Sequence, residues 1–297
     1  MACCCSTSPW GVSSNGALQT ARRLLNAAKA GHTGTLDPMA SGLLPLTFGE
    51  ATKFSQMLLD ADKTYEAAVQ LGVETDSGDA EGKVLATHPV AVDRAALEVV
   101  LERFRGEIEQ VPPMYSALKR DGKALYEYAR QGIELEREAR RVTIRALDLL
   151  DFAGERFAMR VHCSKGTYIR SLAMDIGAAL GCGAHLAALR RTAIGGFDLA
   201  GAVSLEALEA AGAGGRDALL APVDALVADF PVLNLDEDAA RGLLQGRTLA
   251  LPGACPGERV RAYGPAGFLG LAQWQDDGRL AARRLIATGG LAEAPCA

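Results

Sequence analysis

The chain has 297 residues, of which 49% are hydrophobic and 23% charged, and a net charge of −5. This is the composition of a soluble globular protein with room for one large domain and an appendage, or for two domains. Its apolar runs are short and interrupted by charge, so none approaches the roughly 18 to 20 uncharged residues of a membrane helix. The N-terminus has no basic region and no long apolar run, so no secretory signal is indicated and a cytoplasmic protein is expected. The seven cysteines form no CxxC pair, which argues against a disulfide framework and a zinc site.

Charge is divided unevenly along the sequence. Residues 1–109 carry 9 basic and 14 acidic side chains, residues 110–191 carry 14 and 9, and residues 192–297 carry 8 and 13. Because screening confines the field of a charged surface to about 10 Å, a basic middle segment can bind a polyanion even on an acidic protein. The alternative interpretation is that these lysines and arginines only solvate helix faces.

The first part of the chain predicts two helices joined by an irregular segment. Apolar residues at helical spacing indicate a helix over residues 15–28, with Ser14 or Asn15 as its N-cap. A second helix is expected over residues 50–59. Between them runs the stretch HTGTLDPMASG, which starts at His32. It lies in a connection between regular elements, where binding and catalytic residues are common.

Strands and helices then follow one another through the middle of the chain. Residues 63–88 have the pattern of two strands around a polar Asp/Gly/Ser loop, which predicts a hairpin. The next helix is expected to be closed by Gly106. Residues 156–163 alternate apolar with polar or small side chains, as a half-buried strand does. They lead into SKGTYIRSL, a turn followed by a helix that ends at Gly181.

The sequence changes character near residue 231. From there on it contains short strand-like runs punctuated by glycine and proline, with one helical patch. The change predicts a large domain over residues 1–230 and a small, mostly β module over residues 231–292.

The carboxylate of Asp37, in the middle of HTGTLDPMASG, has three interpretations: a helix N-cap, a turn former or a nucleophile. An Asp-Pro step is a common turn pattern, so a structural turn is the simpler interpretation of this residue alone. Arg170 and Tyr168 lie at a strand-to-helix turn, where side chains project from a fixed backbone. An arginine beside a buried aspartate lowers the pKa of the carboxyl group and keeps it ionised, which suits a nucleophile.

The other candidates also have structural interpretations. Arg170 fits an exposed helix surface, and both Tyr65 and Tyr168 fit half-buried core positions. Tyr65 begins a strand, from which its ring can meet a planar ligand. His32 fits a hydrogen-bonded loop residue. Each residue alone is ambiguous, so a functional interpretation depends on their combination.

Five stretches, in this order, carry a resemblance to a known family: SSNGAL (13–18), GHTGTLDPMASGLLPLTFGEATKF (31–54), LDADKTYEAAVQLGVETDSGDAEG (59–82), VPPMYSALKRDGKALYEYARQG (111–132) and VHCSKGTYIRSLAMDIGAALGCGAHLAALRR (161–191). Together they resemble the TruB family of tRNA pseudouridine-55 synthases, of the bacterial stand-alone type. The resemblance implies an α+β fold: a catalytic domain with a mixed, largely antiparallel central sheet flanked by helices and loops, then a small PUA-like β module that holds tRNA.

The resemblance also implies roles for the candidate residues. Asp37 is the catalytic nucleophile and Arg170 is its ion-pair partner. Tyr65 stacks on the target base and takes part in the proton step at C5, with Tyr168 beside it. His32 helps to hold the RNA loop in a base-flipped form. The candidates for contacts to the RNA are all basic: Lys53, Lys119, Arg120, Lys123, Arg130, Arg140 and Arg141.

The implied reaction turns the uridine at position 55, in the T-arm of tRNA, into its C-glycoside isomer. The base is flipped out of its stack, the N1–C1′ bond breaks, the uracil rotates and C5 joins C1′. The reaction needs no cofactor, metal or guide RNA, and a monomer is the simplest arrangement. Whether the carboxylate attacks C1′, attacks C6 or deprotonates the sugar stays open.

Two rival functions are compatible with parts of the pattern. One is a tRNA-binding folding factor in which Asp37 only shapes a turn. The other is a carboxylate-nucleophile glycosidase or nucleoside hydrolase, which would normally need a second acid at a defined distance. No clear candidate for that second acid stands in the sequence.

The start of the chain departs from the family pattern. Relatives usually have a hydrophobic strand followed by Asp-Lys-Pro-x-Gly, whereas here Thr7 and Ser8 stand at the Asp-Lys positions before Pro9 and Gly11. The sequence ACCCS replaces the strand. Because cysteine packs like a small hydrophobe, a degraded strand is one interpretation and an atypical start is the other.

Overall fold

Two β-sheets organise the chain, one large and one small. The computed structural model describes residues 13–287 and, as strand backbone, residues 2–7. The strands are, in chain order, β1 (Ala2–Thr7), β2 (Ala30–His32), β3 (Ala40–Phe48), β4 (Lys63–Leu71), β5 (Val73–Thr75), β6 (Val84–Thr87), β7 (Gly106–Gln110), β8 (Lys119–Arg120), β9 (Lys123–Ala124), β10 (Arg140–Ala153), β11 (Arg156–Cys163), β12 (Ala184–Ile194), β13 (Phe197–Asp198), β14 (Val232–Asn234), β15 (Leu249–Ala250), β16 (Arg259–Gly264), β17 (Gly267–Trp274) and β18 (Arg279–Leu285).

The helices lie between these strands. They are α1 (Ser14–Leu24), α2 (Ser55–Asp60), α3 (Arg94–Glu102), α4 (Leu125–Ala129), α5 (Ile169–Leu180), α6 (Leu205–Ala210), α7 (Gly212–Gly215) and α8 (Glu237–Leu244), with 3₁₀ turns over Gly49–Phe54, Arg216–Leu219 and Val223–Val227. None of the helices in the described part of the chain is long and apolar enough to cross a membrane.

The large sheet is mixed and mainly antiparallel, as predicted. Its main path runs β1-β3-β12-β4-β11-β10-β7, with β2 paired to β3 and β13 to β12. Only the β3–β12 pair among these is parallel, with Leu189 opposite Ala40. This pairing brings the end of the HTGTLDPMASG stretch beside β12, and β12 in turn lies beside β4.

Apolar alternation builds the core of this sheet. On β11 the side chains of Phe157, Met159, Val161 and Cys163 are buried, as their spacing predicts. Helix α5 covers the sheet with a face that includes Leu172 and Ile176. Each large apolar side chain that is fully buried stabilises the fold by about 1.5–3 kcal/mol, so this packing fixes the start of α5 relative to the strands.

Several local predictions are confirmed and three need correction. Helix α5 ends at Gly181, which has the left-handed backbone that glycine favours. The N-cap of α1 is Ser13, whose Oγ accepts the Gly16 N–H, and not Ser14 or Asn15. Helix α3 ends at Glu102, before Gly106, which begins β7.

The third correction concerns the polar loop after β4. The loop joins β5 to β6 in a separate two-stranded sheet, whereas β4 pairs with β11 and β12. The chain leaves β4 at Gly72, a residue with φ of +80° whose added Cβ would lie 2.8 Å from the carbonyl oxygen of His88. A hairpin is therefore present, but its first strand is β5.

The altered N-terminus forms a strand. β1 is antiparallel to β3 from Ala2, opposite Thr47, to Thr7, opposite Gly42. The interpretation of ACCCS as a strand is confirmed at the level of the backbone. Ser8, Pro9 and Gly11 lie outside the described residues.

The second sheet contains the last five strands in the order β14-β16-β17-β18-β15. Its α8 helix and the apolar faces of β16 and β17 form a core of their own. It contacts the first part of the chain through the Phe54 and Phe268 rings, whose centroids are 5.8 Å apart. The division at residue 230 stays a prediction.

Candidate active site

Asp37 stands on a tight turn between β2 and β3. Its carbonyl oxygen accepts the N–H of Ala40 at 2.9 Å, and Pro38 fills the second position of the turn. The turn interpretation is therefore correct, and it leaves the carboxylate free to act. The Asp37 side chain is 36% exposed, so a substrate can reach it.

A serine at the start of α1 anchors the backbone beside Asp37. The Oγ of Ser14 accepts the N–H of Leu36 at 3.0 Å and approaches the Leu36 carbonyl oxygen at 3.4 Å. Ser14 is 4% exposed, so water does not compete for these bonds. The residue before Asp37 is thus fixed by a second element of the fold.

Arg170 holds the carboxylate from the first turn of α5. Its Nε lies 3.0 Å from Asp37 Oδ2 and its Nη2 lies 3.2 Å from Oδ1, which is a two-point contact. The Arg170 side chain is only 5% exposed. A planar guanidinium in this geometry fixes both the position and the orientation of the Asp37 carboxylate.

Arg170 is itself held by a second carboxylate and by backbone oxygens. Asp79, in the loop between β5 and β6, places Oδ2 3.6 Å from Arg170 Nη1. Nη2 also donates to the carbonyl oxygen of Tyr115 at 2.7 Å, and Nη1 donates to that of Ser77 at 3.3 Å. Asp79 is buried and accepts hydrogen bonds from the Ser77 hydroxyl and the Glu81 N–H. The arginine therefore cannot change its rotamer without breaking several bonds.

Burial raises the pKa of Asp37 above its ordinary value. Arg170 works in the opposite direction, and the nearby Asp79 carboxylate adds to the rise. The sequence-based expectation of a lowered pKa was thus wrong in direction, because it counted the arginine but not the loss of water around the carboxylate. The ion pair between Asp37 and Arg170, which the family resemblance implied, is present in the structure.

The two predicted tyrosines lie close to Asp37. Tyr65 is on β4 and Tyr168 immediately precedes α5. Burial is the main cause that raises the pKa of each tyrosine, and the nearby Asp37 carboxylate raises both pKa values further. The Tyr168 N–H donates to the buried Oε1 of Gln110 at 2.8 Å, which fixes the start of α5. The structure therefore brings Asp37, Tyr65, Tyr168 and Arg170 together in one half-buried site.

His32 ends β2, five residues before Asp37. Burial lowers the pKa of His32, and the nearby Arg191 guanidinium lowers it further. Its Nδ1 is buried without a hydrogen-bond partner in the described part of the protein. His32 is therefore neutral at physiological pH, and its Nδ1 faces the interior of the protein.

Most of the predicted RNA-contact residues lie on the surface. Lys119, Arg120 and Lys123 are exposed on the β8–β9 hairpin, which turns through Asp121 and Gly122, both with positive φ. Positive φ at both central residues is typical of the tight two-residue turn that joins short antiparallel strands. The Arg120 Nη1 also donates to the carbonyl oxygen of Glu136 at 2.8 Å.

The remaining basic candidates have other neighbours. Arg130 lies over the ring of Tyr126 at 5.2 Å from its centroid. Arg140 and Arg141 begin β10 and are exposed, and Arg141 lies 3.6 Å from Glu107. Because exposed pairs of this kind contribute at most about 1 kcal/mol, they can be exchanged for contacts to a phosphate.

Lys53 is engaged in a contact between the two parts of the chain. Its Nζ lies 2.7 Å from Glu50 Oε2 and donates to the carbonyl oxygen of Leu285, on β18, at 2.9 Å. These contacts are sufficient to explain a lysine at this position. A contribution of Lys53 to RNA binding stays a prediction.

Four polar residues of the site were missed by the sequence reasoning: Ser14, Asp79, Gln110 and Arg191. Asp79 stands in TDSGDAEG, a polar loop that carries several turn-forming residues, so its carboxylate is not distinctive. Burial is what distinguishes all four, since each is less than 10% exposed. Sequence patterns that mark polar residues as exposed cannot reveal them.

The fold alone defines a class of protein. A solved structure described as a Cbf5-Nop10-Gar1 complex matches with a TM-score of 0.71 at 28% identity, over 92% of this chain and 78% of the other. A structure of an H/ACA RNP bound to a substrate RNA containing 2′-deoxyuridine shares the fold, with a TM-score of 0.73 at 24% identity, over 96% of this chain and 84% of the other. The fold is that of the pseudouridine synthases.

Sequence comparison gives the family within that class. Family models described as TruB family pseudouridylate synthase (N terminal domain), tRNA pseudouridylate synthase B C-terminal domain and Pseudouridine synthase II TruB, C-terminal match residues 22–169, 170–228 and 231–286. A protein of Azoarcus sp. (strain BH72) named tRNA pseudouridine synthase B is 71% identical, over 94% of this chain and 93% of that protein. One of the same name from Aromatoleum aromaticum is 63% identical, over 94% and 91%. The chain belongs to the TruB family of pseudouridylate synthases, and the expected family is confirmed.

Proposed function

We propose that this chain isomerises the uridine at position 55, in the T-arm of tRNA, to pseudouridine. The observation that carries the proposal is the Asp37 carboxylate, accessible to a substrate and held at two points by the buried Arg170. It stands in a chain of the TruB family whose relatives at 60% identity and above are named tRNA pseudouridine synthase B.

The proposed chemistry fits a single preorganised carboxylate. The N1–C1′ bond of uridine breaks, the uracil rotates and a C5–C1′ bond forms, so the product is an isomer of the substrate and no cofactor is consumed. Asp37 acts at C1′, at C6 or on a sugar proton. Each of these routes uses the ionised carboxylate in a fixed place, and Arg170 supplies that placement.

The neighbouring side chains suit a flipped base. Tyr65 and Tyr168 flank the carboxylate with rings that replace some of the stacking lost when a uridine leaves the RNA, a cost of a few kcal/mol. Tyr65 also takes part in the proton step at C5. His32, a neutral and half-buried side chain five residues before Asp37, is proposed to help hold the RNA loop in its rearranged form.

The RNA backbone is proposed to lie along the basic middle segment. The exposed hairpin residues Lys119 and Lys123 can meet phosphates directly, and Arg120 can do so by exchanging its bond to the Glu136 carbonyl oxygen. Arg130, Arg140 and Arg141 extend the surface. Such contacts position the RNA without reading its sequence. Choice of the uridine then depends on the shape of the T-arm and on the site around Asp37.

The small sheet is proposed to be a separate RNA-holding module over residues 231–292, after a catalytic domain over residues 1–230. A groove of about 320 Å³ lies where it meets α2, lined by Met57, Leu271 and Gln273 and by three arginines, Arg259, Arg283 and Arg284. The arginines offer cations to phosphates beyond the T-arm. The net negative charge of the last segment limits how tightly this module binds RNA by itself.

We further propose that the protein acts alone, as a cytoplasmic monomer without a guide RNA. The relatives that share 60% or more of its sequence match 94% of this chain, and their names describe a tRNA pseudouridine synthase and not a part of a complex. The solved structures whose descriptions name partner proteins or an RNP share only 24–28% of its sequence.

The test uses a tRNA transcript labelled with tritium at C5 of its uridines. Formation of the C5–C1′ bond expels the C5 hydrogen, so the wild-type chain should release one tritium per tRNA to water, and nuclease digestion should yield pseudouridine. A transcript with cytidine at position 55 is the matched control and should release none. If the transcript with cytidine at position 55 released as much tritium as the unaltered transcript, the assignment of the modified uridine to position 55 would be overturned.

The same assay separates the rival functions. A nucleoside hydrolase would liberate free uracil, which chromatography of the reaction detects directly. A folding factor would bind the transcript and release neither tritium nor base. Either outcome with the wild-type chain would overturn the proposed isomerisation.

A further inference from the structure

Arg191, on β12, is the largest fully buried side chain of the described chain, at 1% exposure. Its Nε donates to the carbonyl oxygen of Leu43 at 2.7 Å and its Nη2 donates to that of Gly34 at 3.0 Å. Among the residues that the structure describes, no carboxylate forms an ion pair with it. A buried guanidinium without a counter-charge costs several kcal/mol, so its presence calls for a function of the charge.

The group that faces this charge is Tyr65. β12 and β4 are antiparallel neighbours with Arg191 directly opposite Tyr65, so the two side chains lie on the same face of the sheet. The guanidinium charge lowers the pKa of the Tyr65 phenol, against the larger rise that burial causes. The backbone around Arg191 is close-packed, since a Cβ on Gly42 would lie 2.2 Å from its carbonyl oxygen. The arginine therefore has little freedom to withdraw from the phenol.

Three elements place titratable groups against Tyr65: β12 contributes Arg191, β11 contributes Cys163 and the loop before β3 contributes Asp37. Burial raises the pKa of the Cys163 thiol to about 11, so that group is neutral at physiological pH. Asp37 disfavours negative charge on the phenol oxygen and Arg191 favours it. Arg191 itself also faces His32 and Lys63, whose pKa values are both lowered, mainly by burial and further by this arginine.

We propose that Arg191 is a positioning residue for Tyr65, which holds the phenol oxygen at the site and stabilises negative charge on it while the C5 proton is removed. The inference rests on the proposed function, because it takes Tyr65 as the proton acceptor. In that step the C5–H bond breaks, its electron pair becomes the C5–C6 double bond of pseudouridine, and the proton passes to the Tyr65 oxygen. Burial raises the pKa of Tyr65, so the residue is mainly phenol at physiological pH, and the small phenolate fraction that Arg191 stabilises is the form that reacts. That fraction has lost its own proton to solvent, accepts the C5 proton and leaves the step as phenol.

A positioning role and a purely structural role of Arg191 predict that its substitution slows different steps of the reaction. Arg191 also joins Gly34 to Leu43, so its removal can loosen the loop that carries Asp37 and slow every step together. Loss of charge at Tyr65 slows only the step in which the C5–H bond breaks. An isotope effect at C5 distinguishes the two, because it grows only when that bond becomes more nearly rate-limiting.

The experiment compares single turnovers of tRNA whose uridines carry hydrogen or deuterium at C5. In Arg191→Gln we expect pseudouridine formation to slow by about 10- to 100-fold, the range of a weakened general base, and the deuterium effect to exceed that of the wild type. Arg191→Lys keeps a cation and should lie between the two, and it serves as the test if the glutamine variant does not fold. Arg216→Gln is the matched control, since Arg216 also donates to backbone carbonyls, those of Leu24 and Leu208.

A second readout is the pH profile of turnover. With Arg191→Gln the rise in rate with pH should move to higher pH, and 3-fluorotyrosine at position 65, whose phenol ionises more readily, should restore part of the lost rate. An Arg191 variant that is slow with an unchanged isotope effect would overturn the proposal, and so would one with the wild-type rate. If the wild type forms no pseudouridine, the proposed function itself fails, and that outcome is read before any variant is compared.

Discussion

Arg170 and Asp79 form an ion pair inside the protein, with 3.6 Å between Nη1 and Oδ2 and with both side chains less than 10% exposed. The opposite edge of the same guanidinium holds Asp37. One arginine therefore serves two carboxylates, of which one is sealed in the fold and the other is open to substrate. The sealed carboxylate fixes the arginine, and the arginine fixes the reactive carboxylate.

Removal of the shared guanidinium should damage both folding and activity. We expect Arg170→Ala to lower the free energy of unfolding by about 3–5 kcal/mol, because Asp79 is left buried without its counter-charge. Turnover should fall by about 100-fold or more through loss of placement at Asp37. Arg170→Lys should recover part of the stability and little of the activity, since an ammonium cannot make the two-point contact. Chemical denaturation and tritium release measure the two effects.

A surface pair provides the control for Arg170. Arg160 contacts Glu66 at 2.9 Å, with side chains 49% and 37% exposed. Arg160→Ala should change stability by no more than about 1 kcal/mol and leave turnover intact. An Arg170→Ala protein that is as stable and active as this control would contradict the shared-arginine interpretation.

The pH dependence of turnover should respond to Asp79. The Asp37 carboxylate is ionised above its pKa, which burial raises, so activity should be lost on acidification at a higher pH than for an ordinary aspartate. The Asp79 charge raises the Asp37 pKa further. Asp79→Asn removes that charge, so the acidic limb of the normalised profile should move to lower pH even if the maximum rate falls. A limb that stays in place or moves to higher pH would show that Asp79 acts on placement only.

The hydrogen bond between Ser14 and the Leu36 N–H should affect catalysis, because it fixes the residue before Asp37. Ser14→Ala leaves the Leu36 N–H buried without an acceptor, at a cost of about 1–3 kcal/mol, and frees the residue before Asp37. We expect a reduced rate constant for pseudouridine formation with little change in tRNA affinity. Ser13→Ala removes the N-cap of the same helix, at a cost of about 1 kcal/mol, and should not change the rate constant. Equal rate constants for the two variants would argue against a role for the anchor.

The exposed basic hairpin should determine how binding depends on salt. For each of Lys119, Arg120 and Lys123 changed to glutamine, the slope of log affinity against log salt should become shallower by about one if that residue contacts a phosphate. The rate constant at saturating tRNA should stay the same. Arg94→Gln, on α3, removes an exposed cation that pairs with Glu98 and is the control. A hairpin variant with the wild-type salt slope would exclude that residue from the RNA surface.

Local pattern explains which parts of the fold could be predicted from the sequence. The α5 helix with its Gly181 end, the buried alternation of β11 and the turn at Asp37 all depend on residues close together in the chain, and they were confirmed. The hairpin assignment failed for β4 because strand pairing is a long-range choice. β4 pairs with β11 and β12, which come later in the chain and bury its apolar face.

The site shows the same limit more strongly. Asp37 and Arg170 are 133 residues apart, and only the family resemblance brought them together in advance. Ser14 was interpreted as an N-cap from its local sequence. Its actual partner, the Leu36 N–H, lies 22 residues away and could not be recognised from local sequence. The direction of the Asp37 pKa shift was wrong because the degree of burial of a loop carboxylate is a property of the whole fold. Arg191 was missed because a buried arginine without a carboxylate has no local signature.

The most direct test of the central claim is a single-turnover comparison of wild type with Asp37→Asn on C5-tritiated tRNA. Asparagine keeps the shape and the oxygen that accepts from Arg170, but it loses the charge. We expect release of tritium and formation of pseudouridine by the wild type only, with unchanged tRNA affinity and an unchanged fold in the variant. Formation of pseudouridine by Asp37→Asn at the wild-type rate would contradict the assignment of Asp37 as the catalytic carboxylate.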